Sequence, residues 1–202
     1  HLDHSSDFDY IMNAIKEGFT SVMFDGSMLP LEENIRLSKK VVEVAHTFGV
    51  DVEAELGRVG FAADSDEENP DMYTKPEVAA EFCRKTGVDS VAVAIGSAHG
   101  VYLEVPKLDL ERLEEINKAT EKPLVLHGGS GIPNDQLEAA FTKGINKFNV
   151  GTEFFQLYYD SVFEYMKAHE GEKNVNLLFE MSNYVQNRLM DYLREKMKLS
   201  KC

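Results

Sequence analysis

The chain is 202 residues long, enough for one substantial domain with a buried core, and the expectation is a single domain over 1–202. Hydrophobic residues make up 43% and charged residues 28%, an ordinary balance for a globular protein, with a formal net charge of −14. That charge argues against nucleic acid, whose phosphates need clustered Lys and Arg, and against docking on an anionic membrane.

The chain opens at His1, and Leu2 enters what reads as the last residues of a strand, so an N-terminal part is expected to be missing. Phe8 to Gly18 reads as a helix with Ile11, Ala14 and Ile15 on one face. Thr20 to Phe24 is a buried strand, Leu31 to Phe48 a helix stopped by Gly49, and Val50 to Leu56 the next strand. A polar loop from Gly57 to Tyr73 carries Asp64, Asp66, Glu67 and Glu68. The alternation resumes with a helix over 76–86, a strand over 90–95, a helix over 109–119 and a strand over 123–126. It continues with a helix over 134–143, a strand over 145–150 and a helix over 152–169, then a helical tail from about 175 to 202.

Strands followed regularly by helices imply a parallel sheet. Six strands fit an open doubly wound sheet or part of a (β/α)8 barrel. The barrel is favoured because His4, Asp25, Glu55, His99, His127 and Asn149 each fall at or just beyond a strand end, where barrel enzymes gather their chemistry. Two cysteines, Cys83 in a helical pattern and Cys202 at the chain end, do not suggest a disulfide framework, and a cytoplasmic setting follows. No apolar run approaches the roughly 18–20 residues of a membrane span, and no signal peptide opens the chain.

Three of the six histidines share one context: His4, His99 in Gly96-Ser-Ala-His-Gly100, and His127 before Gly128-Gly-Ser-Gly131. Three ligands with one open position is the arrangement of catalytic zinc. His46 and His169 fall in helices and read as surface residues, and His1 is expected to point away from Asp3. Asp3, Asp25 and Glu55 are carboxylates in apolar strands, so each needs a metal, a cation, an imidazole N–H or substrate. Asp25 and Glu55 suit the orientation of metal-bound imidazoles or an alternative metal position. The turns Gly128-Gly-Ser-Gly131 and Asn149-Val-Gly-Thr152 each join a strand to a helix, where glycine admits an anion to backbone N–H groups.

In order along nearly the whole chain, His1-Leu-Asp-His4, Gly18 to Ser27, Val52-Glu-Ala-Glu-Leu-Gly57, Ala94 to Gly100, Pro123 to Gly131 and Asn149 to Glu153 resemble the class II fructose- and tagatose-bisphosphate aldolases. The resemblance implies a (β/α)8 TIM barrel lacking its first two βα units, with a C-terminal helical extension. It implies reversible aldol cleavage of a ketose 1,6-bisphosphate to dihydroxyacetone phosphate and an aldehyde (glyceraldehyde 3-phosphate), a glycolytic type of reaction. It implies zinc on His4, His99 and His127, room for a monovalent cation, and Asp3 as the proton carrier at the aldehyde-derived hydroxyl. Gly100, Gly128, Gly129, Ser130, Asn149, Val150, Gly151 and Thr152 would bind the phosphorylated half of the sugar, and a homodimer or homotetramer is expected. The chain departs from the family pattern at Ser5, where glycine is usual, and at Leu103 and Phe155, where relatives commonly carry a cation. Ala62 and Ala63 stand near the family's loop glutamate, leaving Glu67 or Glu68 as the candidate loop acid. These departures leave open another phosphorylated or sulfonated ketose as substrate, or a non-catalytic zinc-binding assembly protein.

Overall fold

The computed structural model describes residues 1–57, 59, 73–102 and 104–200. Six parallel strands lie side by side in chain order: β1 (Leu2–Ser5), β2 (Ser21–Phe24), β3 (Asp51–Leu56), β4 (Ser90–Val93), β5 (Leu124–Leu126) and β6 (Ile145–Phe148). A doubly wound sheet reverses its strand order partway; this one does not. The molecule is a partial (β/α) barrel, as expected. Side chains of the first and last strands meet across the curl, with Lys147 Nζ 3.3 Å from His1 Nε2 and Asn149 Nδ2 3.1 Å from Asp3 Oδ1. Among the described residues, no strand pairs with the outer edge of β1 or of β6.

The period-2 alternation of strand side chains divides the sheet into two faces. Val22, Phe24, Val52, Ala54, Leu56, Leu124 and Leu126 face outward into one apolar core shared with the helices. Met23, Ala92 and Val125 form a separate small cluster on the inner face. Beyond that cluster the inner positions turn polar: Asp25 after β2, Glu53 and Glu55 on β3, His127 after β5, Lys147 on β6 and Asn149 after it. Inner-face cluster and polar layer together position the site.

The helices cover the outer face. In α1 (Phe8–Lys16), Ile11, Ala14 and Ile15 are buried, and the Asp7 carboxylate caps the start by accepting the Tyr10 N–H. The helix expected over Leu31–Phe48 is α2 (Leu31–Ala45) followed by a short 3-10 turn, which Gly49 stops at φ 66°. Its buried Asn34 donates to the Glu55 carbonyl at 2.9 Å, fastening the end of β3. α3 (Pro76–Thr86) has proline at its start and left-handed Gly87 at its end, and α4 (Leu110–Thr120) is capped by Asp109. α5 (Asn134–Lys143), α6 (Thr152–Ala168) and α7 (Leu177–Leu199) complete the chain. α7 runs against α6 and contributes Leu199 to the main core. The stripe Phe155, Tyr159 and Phe163 on α6 is 70%, 63% and 58% exposed. Among the described residues no helix is long and apolar enough to cross a membrane.

Candidate metal centre and active site

Alternation alone would send Asp3 and His4 to opposite faces of β1. The structure brings both to the inner side, because His4 adopts φ 45° and the β1–β2 register shifts between Leu2 and Ser5. Such irregularities re-aim side chains at barrel rims. His4 Nδ1 donates to Asp25 Oδ2 at 2.9 Å, and Asp25 Oδ1 accepts from the Ser27 N–H and hydroxyl at 3.1 and 2.7 Å. Burial opposes ionisation of Asp25, but these bonds win and lower its pKa to about 2. In return the Asp25 hydrogen bond raises His4.

His127 is fully buried, and its Nε2 donates to Glu53 Oε1 at 2.8 Å. The other Glu53 oxygen accepts the Lys147 ammonium at 2.7 Å. Burial pushes the Glu53 carboxyl up, while the His127 and Lys147 bonds outweigh it and bring the pKa down. With one nitrogen of each ring held by a carboxylate, the remaining nitrogens, His4 Nε2 and His127 Nδ1, face each other at 2.8 Å. His99 completes the group, its ring centroid 5.0 Å from that of His4 and 6.0 Å from that of His127. Burial and the two neighbouring imidazoles hold the His99 pKa down, which favours the neutral ring a metal requires. Ligand atoms of all three lie within 4.8 Å of one another.

This donor set fits a metal ion. Two nitrogens on one tetrahedral zinc stand about 3.3 Å apart, so His4 and His127 need part by only roughly half an ångström. Carboxylates that hold the far nitrogen of a ligating imidazole are the usual support of such sites. Glu55 lies alongside, almost fully buried, with Oε2 lacking a hydrogen-bond partner among the described residues and 3.9 Å from His4 Nδ1. Burial, reinforced by the nearby Asp25 charge, raises its pKa to about 8.

A cleft of about 390 Å³ opens beside the three imidazoles, lined by Asp3, Gly100 and the two glycine-rich turns. Gly128, at φ 67°, leaves no room for a side chain, since a Cβ would sit 2.4 Å from the Ala98 carbonyl oxygen. At Gly129 it would strike the Phe148 ring. The Tyr102 hydroxyl accepts the Ala98 N–H at 2.6 Å and donates to the Gly128 carbonyl at 2.9 Å, joining the His99 and His127 segments.

The full length of the chain, residues 1–202, matches the family model for class II fructose-bisphosphate aldolase. The chain belongs to the class II fructose-bisphosphate aldolase family. It is 49% identical over 153 residues to a fructose-bisphosphate aldolase of Staphylococcus epidermidis and 50% identical over 153 residues to that of Staphylococcus aureus. Each alignment takes in 76% of this chain and 54% of the relative, so the matched part spans about half the length of these aldolases. Among solved structures, the YdjI aldolase of Escherichia coli K12 superposes with a TM-score of 0.79 at 38% identity, covering 98% of this chain and 67% of that one.

Of the expected aldolase site residues, Asp3, the three histidines, Gly100 and the residues of both turns lie around one cleft. Asp25 supports an imidazole, and Glu55, 3.9 Å from His4 Nδ1, groups with Asp25 and His4 as the alternative metal position, while Glu53, not singled out from the sequence, supports His127. His1 does not point away from Asp3: residues two apart share a strand face, and His1 Nε2 is 3.8 Å from Asp3 Oδ1. The trio His1, Asp3 and Glu53 also clusters, but the Lys147 ammonium already supplies the cation there. Glu67, Glu68, Ala62, Ala63 and Leu103 lie outside the described residues. Exchanging Glu53 for glutamine keeps the shape but removes the charge that holds His127. Zinc affinity, read by competition with a chromogenic chelator, is expected to fall about 10- to 100-fold; unchanged affinity would show that Glu53 does not support the site.

Proposed function

We propose that the protein catalyses reversible aldol cleavage of a ketose 1,6-bisphosphate to dihydroxyacetone phosphate and an aldehyde, with zinc held by His4, His99 and His127. The observation that carries this is the convergence of three imidazoles on one point, two of them braced by carboxylates, beside a cleft with Asp3 and two glycine-rich turns. Zinc, when bound, supplies Lewis acidity to the oxygens that gain charge as the C3–C4 bond breaks.

The chain's own residues do the rest. Asp3, half exposed in the cleft, takes the proton of the C4 hydroxyl in cleavage and returns it in condensation. Asn149 holds the Asp3 carboxylate in place by its amide N–H. Gly128, Ser130 and Val150 to Thr152 offer backbone N–H groups to the phosphate, while the Gly129 and Asn149 N–H groups are taken by the Asn149 and Leu126 carbonyls and hold the turns together; this answers how so acidic a chain attracts an anionic substrate. Asp25 and Glu53 keep the ligating rings in their working tautomers.

Phe155, exposed at a position where the family resemblance implies a cation, favours a second reading in which the sugar is another phosphorylated or sulfonated ketose. The deciding experiment is cleavage by the full-length protein before and after chelation, across fructose and tagatose 1,6-bisphosphates and a sulfonated ketose. Loss of activity on chelation and return with zinc is expected. Undiminished cleavage after complete metal removal would overturn the metal mechanism, and zinc binding with no cleavage of any ketose would leave a binding protein.

A further inference from the structure

Glu153 lies just outside the cleft, yet it joins three elements. Its backbone N–H donates to Ser130 Oγ at 3.0 Å. Its Oε2 accepts the Gly131 N–H at 3.4 Å, the Tyr192 hydroxyl at 3.1 Å and the Lys196 ammonium at 3.1 Å. Ser130 and Gly131 belong to the first glycine-rich turn, and Glu153 follows directly on the second. Tyr192 and Lys196 stand one turn apart on α7, so a single helix face meets this carboxylate. The Lys196 side chain is only 13% exposed. Burial and the Glu153 charge raise the Tyr192 phenol above its ordinary range, so it remains a donor. α7 is itself fixed by buried Val185 and Leu199.

Two physical difficulties meet at this point. Glycine-rich turns have much backbone freedom to lose, and an anion held by N–H groups binds more tightly when those groups are already ordered. A carboxylate between two anion-binding turns also opposes a phosphate. Both difficulties are relieved by the same contacts from α7.

We propose that α7 is a positioning element for the anion-binding cleft: Tyr192 and Lys196, acting through Glu153, hold the two glycine-rich turns in one arrangement and cancel the Glu153 charge. Neither residue lines the cleft, so their effect is on how well the turns receive a phosphate and not on the reacting atoms. The assignment of a phosphate to the cleft rests on the function proposed above; the tethering of the turns does not.

The test uses full-length zinc-loaded protein with Lys196→Met, Tyr192→Phe and Lys196→Arg. Lys196→Met is expected to weaken dihydroxyacetone phosphate binding and raise KM by roughly 5- to 10-fold, the scale of a partly buried charge pair, with zinc affinity and kcat within about 2-fold. Tyr192→Phe should act in the same direction by about 3-fold, and Lys196→Arg should restore most of the binding. Amide exchange at Gly131 and Glu153 should quicken in Lys196→Met and Tyr192→Phe. Unaltered exchange in both would overturn the tether, whether or not the wild type binds the triose phosphate. Unaltered KM despite quickened exchange, or an equal loss of zinc and of KM that arginine does not rescue, would also overturn the proposal. A wild type that binds no triose phosphate would count against the aldolase function instead, and exchange would still decide the tether.

Discussion

Replacing His99 with alanine is expected to leave a folded protein that neither retains zinc nor cleaves a ketose bisphosphate. A catalytic zinc site rests on three protein ligands, and this substitution leaves two. The choice of His99 matters. His127 is fully buried and bonded to Glu53, so its removal opens a cavity and leaves one oxygen of a buried carboxylate without its donor, at a cost of about 1–3 kcal/mol, although Lys147 still holds the other oxygen. A dead His127 variant could simply be an unfolded one. His99 is half-buried and its removal leaves the buried Glu53 bonded to His127, so the folded state is expected to survive. Cleavage should fall by roughly 10³-fold or more, the scale of losing the main stabilisation of developing charge. Zinc content by atomic emission and the thermal midpoint should be measured on the same preparation. Near-normal cleavage in a zinc-free His99→Ala protein would sink the metal mechanism.

Asp3→Asn separates proton transfer from metal binding. The two side chains are isosteric, and asparagine at position 3 can still face Asn149, but it cannot take up a proton. Cleavage is expected to fall by about 10²- to 10⁴-fold while zinc content and dihydroxyacetone phosphate binding stay near wild type. The contrast with His99→Ala is the informative part: one variant loses metal and turnover together, the other turnover alone. Cleavage within a few-fold of wild type would remove Asp3 from the role assigned to it. Loss of zinc in Asp3→Asn would instead recast the carboxylate as a support for its neighbour His4.

The fold was largely legible from the chain because β-branched runs and amphipathic stretches alternate so regularly. Element ends moved by a residue or two, as at β4 and β6, where a strand pattern continues after pairing stops. The choice between barrel and doubly wound sheet was not a matter of pattern. It needed the strand order, which no local periodicity encodes. At the site, the strand-end rule found the histidines but could not explain how adjacent Asp3 and His4 both reach inward; that depends on the φ of one residue. Glu53 was within reach of sequence reasoning, since it shares its strand face with Glu55. It sits deeper in the strand, away from the strand end that marks the other site residues, and a buried carboxylate there makes sense only with Lys147, 94 positions later. Tyr102 and the Glu153–Tyr192–Lys196 contacts join segments whose proximity has no sequence signature at all.

The two outer sheet edges have a practical consequence. Each edge presents a row of backbone donors and acceptors of the kind that recruits another strand, and the Phe155, Tyr159 and Phe163 stripe follows directly on β6. Those surfaces are therefore the aggregation-prone part of the described structure, even with every residue of the cleft in place. Poor yield or turbidity of a preparation would report on the sheet edges and the aromatic stripe and say nothing about the chemistry at the centre of the sheet.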